Sequence, residues 1–122
     1  MNLDDVQTSC LDYLEETMSG DPANDISHIK RVVQSALDLT RVEGGNLAVT
    51  VPAAWLHDCV TVATDSPLRK QASRLAADEA VQFLQSIDYP AGLLPQIHHA
   101  IAAHSFSANI PAETVEARIV QD

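Results

Sequence analysis

The stretch Asp25-Ile26-Ser27-His28-Ile29-Lys30-Arg31-Val32-Val33-Gln34-Ser35-Ala36-Leu37 decides the fold class. Its apolar residues, Ile26, Ile29, Val32, Val33, Ala36 and Leu37, recur at steps of three and four. That spacing places them on one face of a helix with 3.6 residues per turn. A half-buried strand would instead alternate every second residue. Asp25 suits the N-cap, where a carboxylate accepts from the free N–H groups of the first turn. Gly44-Gly45 closes the segment, because glycine readily takes the left-handed conformation that ends helices.

Working outward, the same period recurs. Leu3, Val6, Cys10, Leu11, Leu14 and Met18 predict a first helix that Gly20-Asp21-Pro22 ends. Asn46 can cap a third helix reaching about Asp58, with Pro52 either kinking it or marking its first turn. Ser66-Pro67 predicts the start of a fourth, carrying Leu68, Ala72, Leu75, Ala76, Phe83, Leu84 and Ile87. Pro95 can open a fifth that reaches about His104, Ser105–Ile110 reads as a loop, and Pro111 can open a sixth. The β-branched clusters Val49–Val51 and Thr61–Thr64 are too short and isolated for a sheet. The expectation is an all-α domain over residues 1–122, with about six helices in an orthogonal or bundle-like packing. Asp122 falls in what reads as mid-helix without a stop signal, so further C-terminal helices are expected.

Composition excludes some functions. Apolar residues make up 46% of the chain, too many for a disordered segment. Asp and Glu number 17 against 7 Lys and Arg, a net charge of −10. Duplex nucleic acid and anionic membranes bind through a cationic field that this chain lacks. The acids concentrate at the N-terminus (Asp4, Asp5, Asp12, Glu15, Glu16, Asp21, Asp25), whereas Lys30, Arg31, Arg41, Arg69, Lys70 and Arg74 lie in the middle. An anion site is therefore expected in the middle. Cys10 and Cys59 match no zinc-ribbon or paired-cysteine spacing, and no basic start precedes an apolar run. A cytoplasmic protein with two free thiols is expected.

The five histidines fall at His28, His57, His98, His99 and His104. The apolar run Ala53-Ala54-Trp55-Leu56 leads straight into His57 and Asp58. A carboxylate at the end of a buried helix is costly unless it is paired, and the helix dipole disfavours an anion at that terminus. A metal or a cationic partner resolves both costs.

Three segments then resemble the HD-domain superfamily of metal-dependent phosphohydrolases. Asp25-Ile-Ser-His28-Ile-Lys-Arg31-Val32 looks like its motif D-x-x-H-x-x-R-V, and Ala54-Trp-Leu-His57-Asp58 like A-x-L-H-D. Val120-Gln121-Asp122 looks like the start of the third motif. His57–Val62 followed by Ser66–Arg69 is similar to small bacterial members that carry H-D-C-V-T-V and then S-P-L-R. The resemblance implies an all-α fold and one divalent metal held by His28, His57, Asp58 and Asp122. Manganese, magnesium, nickel, iron, cobalt and zinc all suit such a set of nitrogen and oxygen donors. It also implies hydrolysis of a phosphoester or phosphoanhydride of a small metabolite, nucleotides included, by metal-activated water. Asp58 and His104 are then the catalytic candidates, with His104 as proton donor, phosphate contact or helix-end cation.

Arg31, Arg69, Lys70 and Arg74 are the candidate phosphate contacts, the last three alternatively forming a solvated basic face. Cys59-Val60-Thr61-Val62 departs from members that carry acids just after the His-Asp pair. A binuclear phosphodiesterase using His98, His99 and His104 is an alternative, if the fifth helix ends before His104. A non-catalytic sensing or scaffold module is another. Of His98 and His99, one is expected at the surface and the other half-buried.

Overall fold

The structure, a computed structural model, describes residues 2–17, 22–60, 67, 71–104 and 110–121, with residues 22–25 described by backbone only. Its helices are α1 (Leu3–Thr17), α2 (Pro22–Glu43), α3 (Leu47–Leu56), α4 (Ala72–Ser86), α5 (Leu94–Ala102) and α6 (Val115–Val120). A single 3₁₀ turn, Ala91–Leu93, leads into α5, and no strand occurs among the described residues. The all-α expectation holds.

α3 is the axis of the molecule. Val49, Val51, Ala53, Ala54 and Leu56 are completely buried, and Trp55 nearly so. A helix apolar on every side has to be enclosed, and α1, α2, α4, α5 and α6 all pack on it. Its start follows from Asn46, whose side chain accepts from Ala48 N at 2.9 Å. Pro52 lies inside the helix, not in its first turn. Lacking an N–H, it cannot serve Ala48 O four residues earlier. Tyr89 fills that gap: its hydroxyl donates to Ala48 O at 2.5 Å. A tyrosine at the α4–α5 connection thus completes the helix that carries the His-Asp pair.

α2 ends as its sequence implies. Gly44 takes φ 84°, and its N–H donates to Thr40 O at 2.9 Å, a left-handed C-terminal cap. α4 and α5 form the most extensively paired helices, tied by Ser73 Oγ donating to Ala102 O at 2.9 Å.

Helix starts differ from the sequence expectations. α2 begins at Pro22, so Asp25 lies within its first turn and is not its N-cap. Proline at a first helical position wastes no donor, which makes Pro22 an equally good start. α4 begins at Ala72, and Pro67 sits in a turn, so the Ser66-Pro67 signal does not open the helix. α6 starts after Thr114, whose Oγ1 accepts from Ala117 N at 3.0 Å, whereas Pro111 lies in irregular chain. α6 closes at Val120, and Gln121 is extended, so the expected continuation of the helix into Asp122 does not occur. Ser66, Asp122 itself and most of the Ser105–Ile110 loop lie outside the described residues. Among the described residues, no helix is long and apolar enough to cross a membrane.

Candidate metal centre

His57 is the residue at which α3 ends. A helix end leaves carbonyls without partners, and His57 Nδ1 lies 2.6 Å from one of them, Ala54 O. A carbonyl can only accept, so Nδ1 carries the proton. The ring is thereby fixed with Nε2 turned towards Asp58 Oδ2 at 3.4 Å. His104 repeats the device at the end of α5. Its Nδ1 lies 2.5 Å from Ile101 O, and its Nε2 faces Asp58 Oδ1 at 3.7 Å. The two rings meet edge to face, with centroids 5.1 Å apart and planes at 82°. Two helix ends therefore aim two imidazoles at one carboxylate.

His28 comes to the same place from α2. Donor atoms of His28, His57 and Asp58 all lie within 4.8 Å of one another. Two ligands on opposite sides of a metal at ordinary N/O bond lengths stand about 4.2–4.6 Å apart, so small side-chain shifts close this set around one ion. The donor chemistry fits as well. A carboxylate only accepts, and an imidazole protonated at Nδ1 presents a lone pair at Nε2. Groups of this kind converge favourably only around a cation or around added protons. The contacts of Asp58 to His104 and then to His57 hold its carboxyl well below the usual carboxylate range, against an opposing cost of burial. His57 is buried, His104 is largely covered, and Asp58 is exposed to the adjoining cavity.

That cavity, about 590 Å³, is lined on one side by His28, Arg31, His57, Asp58 and His104. Arg31, one helical turn after His28, is the candidate phosphate contact that the structure brings to the site. Arg74 is exposed near the start of α4 and is not among the cavity's lining residues. Arg69, Lys70 and Asp122 lie outside the described residues.

The remaining histidines serve elsewhere. His98 Nε2 lies 2.7 Å from Asp78 Oδ1, joining α5 to α4, and His99 Nε2 accepts from Glu113 N at 3.0 Å. His98 lies at the surface, its side chain 37% exposed, and His99 is half-buried. α5 does end before His104, which frees His104 from helical spacing and lets it reach Asp58. Cys59, next to Asp58, is no competing ligand. Burial, with the Glu79 carboxylate adding to it, pushes its thiol up to about 12, and its Sγ–H donates to Ala76 O at 3.3 Å.

Sequence reasoning missed the rest of the cavity wall: Val32, Ser35, Ala36 and Leu39 on α2, with Ile119, Val120 and Gln121 opposite. The α2 members follow from His28 by helical spacing, at i+4, i+7, i+8 and i+11. Comparison of the chain with protein-family models, with curated proteins and with solved structures returns no match in any of the three.

Proposed function

We propose that this chain is a metal-dependent phosphohydrolase that cleaves a phosphoester or phosphoanhydride of a small metabolite. The observation that carries the reading is the convergence of His28, His57 and Asp58 within 4.8 Å at a cavity that also presents Arg31 and His104. The motif resemblance to the HD-domain superfamily supports it independently and adds Asp122 as a fourth ligand.

His28, His57 and Asp58 would hold the divalent cation. A cation held there would supply Lewis acidity, favouring ionisation of water and drawing electron density from phosphorus. The chain's own groups do the remaining work. Hydrogen bonds from Nδ1 to Ala54 O and Ile101 O fix the two imidazoles before substrate arrives, so little ordering is left to the reaction. Arg31 supplies a planar, permanently charged donor for phosphate oxygens. As the oxygen of water bonds to phosphorus, the bond from phosphorus to the leaving oxygen breaks. His104, at the cavity wall beside Asp58, is placed to deliver the proton that the leaving oxygen needs.

The test is phosphate release from a panel of nucleotides, sugar phosphates and simple phosphomonoesters with manganese, magnesium, nickel or cobalt. Release that appears with metal and stops on chelation is expected. Equal release with and without metal contradicts the mechanism.

A further inference from the structure

The cavity changes character along its length. Its floor is the α2 stripe from His28 to Leu39, about 16 Å at the helical rise of 1.5 Å per residue. His28 and Arg31 stand at one end, Val32 and Ala36 follow, and Leu39 closes the other. The facing wall is graded in the same sense. Gln121 donates from Nε2 to Ala103 O at 3.3 Å, beside His104. Ile119 lies instead near the end of α2, where a Cβ built on Gly45 would meet Ile119 Cδ1 at 3.3 Å and Thr40 Cγ2 at 3.5 Å.

Leu39 and Ile119 also line a second groove of about 220 Å³, which carries the surface onward past Val115 and is lined by Glu43 and Arg118 as well. Leu39 is 43% exposed and Val115 38%. With Val42 they are the large apolar side chains left exposed among the described residues. Scattered exposed apolar residues need no explanation, but a patch continuous with a polar pocket marks a binding site.

We propose that the groove takes the apolar body of the substrate, and that the substrate class is an amphiphilic phosphomonoester. The phosphate then lies among His28, His57, Asp58 and Arg31, and an alkyl or aryl group runs along α2 past Leu39 and Ile119. The proposal rests on the phosphohydrolase reading above. A nucleobase is the poorer occupant. Beyond Arg31 the polar side chains lining the cavity are Ser35 and Gln121, the latter already donating its amide to Ala103 O, and among the described residues the lining rings are the imidazoles at the polar end, with none along the stretch from Val32 to Leu39.

The experiment pairs binding with turnover on the 122-residue chain. Methyl- to dodecylphosphonate, which cannot be hydrolysed, are titrated calorimetrically in the presence of manganese, and the matching alkyl phosphates are assayed for phosphate release. Kd should fall about fourfold per added methylene until the chain passes Leu39. Leu39→Asp or Val115→Asp should flatten that slope, whereas Val42→Asp, which lines neither groove, should keep it. Helix content from circular dichroism checks that each variant is folded. A flat series overturns the proposal, as does adenosine 5′-monophosphate binding more tightly than hexylphosphonate. A dimer that is lost in Leu39→Asp, together with a flat series, gives the face to a second copy and overturns it too. A slope in affinity without phosphate release from any ester removes the hydrolase reading and keeps the amphiphile site. Equal kcat/KM for all esters keeps the hydrolase reading and removes the amphiphile site.

Discussion

Among the described residues His–Asp contacts form at two places from the same residue types, and the two do different things. His98 and Asp78 meet at 2.7 Å on the surface of α5 and α4, with side chains 37% and 56% exposed. His57, His104 and Asp58 meet at longer distances, 3.4 and 3.7 Å, over an enclosed pair of imidazoles. The shorter contact is the less consequential one. An exposed ion pair is worth about 0–1 kcal/mol, since water competes with it and its side chains lose entropy. The longer contacts leave room between one carboxylate and two rings whose orientations are set by backbone carbonyls. The lesson is that ring orientation and convergence, more than contact distance, distinguish a donor set from a strut.

The sharpest way to break this comparison is to truncate one histidine from each region. His57→Ala should weaken manganese binding by about 100-fold or more, as expected for a lost ligand, while His98→Ala should leave the affinity within about twofold. Titration calorimetry on the two variants decides it, and equal losses would erase the distinction.

His104 sharpens it from within the site. His104→Gln should lower kcat by about 100-fold, the smaller end of what a positioned proton donor contributes. Manganese affinity should stay within tenfold of the parent, because the first donor set is intact. A loss of metal binding as large as that of His57→Ala would make His104 a ligand instead.

The support beneath the site gives a smaller effect. Tyr89→Phe removes the donor that replaces the missing Pro52 N–H at Ala48 O. Leaving that carbonyl unpaired should cost about 1–3 kcal/mol, read as a lower urea midpoint, and an unchanged midpoint would show that water replaces the hydroxyl.

The smallest effect belongs to the strut. A double-mutant cycle on His98→Ala and Asp78→Ala should give a coupling below about 1 kcal/mol.

The legibility of this molecule follows the range of the interactions involved. Apolar periodicity in α1, α2 and α4, the Asn46 cap and the Gly44 stop depend on neighbours within a turn or two, and each is visible in the chain itself. The starts of α2, α4 and α6 were less legible. Proline permits a helix to begin but does not compel it, so Pro22 opens one while Pro67 lies in a turn and Pro111 in irregular chain. His57 and Asp58 were legible because a polar pair at the end of a wholly apolar helix is costly without a partner, whereas His28 was singled out only by the resemblance of its segment to a metal-binding motif. The approach of His104 was legible only as one alternative, because it depends on α5 ending at Ala102, and the 3.6-residue period does not fix that end. The wall supplied by Ile119, Val120 and Gln121 depends on where α6 docks, a contact between segments some eighty residues apart in sequence. Nothing local encodes it.

The central claim is that His28, His57 and Asp58 hold one divalent metal ion. Calorimetric titration of manganese into the parent chain and into Asp58→Ala, with circular dichroism on both, tests it most directly. The account predicts about one equivalent bound by the parent, none by the variant, and the same helix content in each. Undiminished binding by Asp58→Ala, or no saturable binding of manganese, magnesium, nickel or cobalt by the parent, would contradict it.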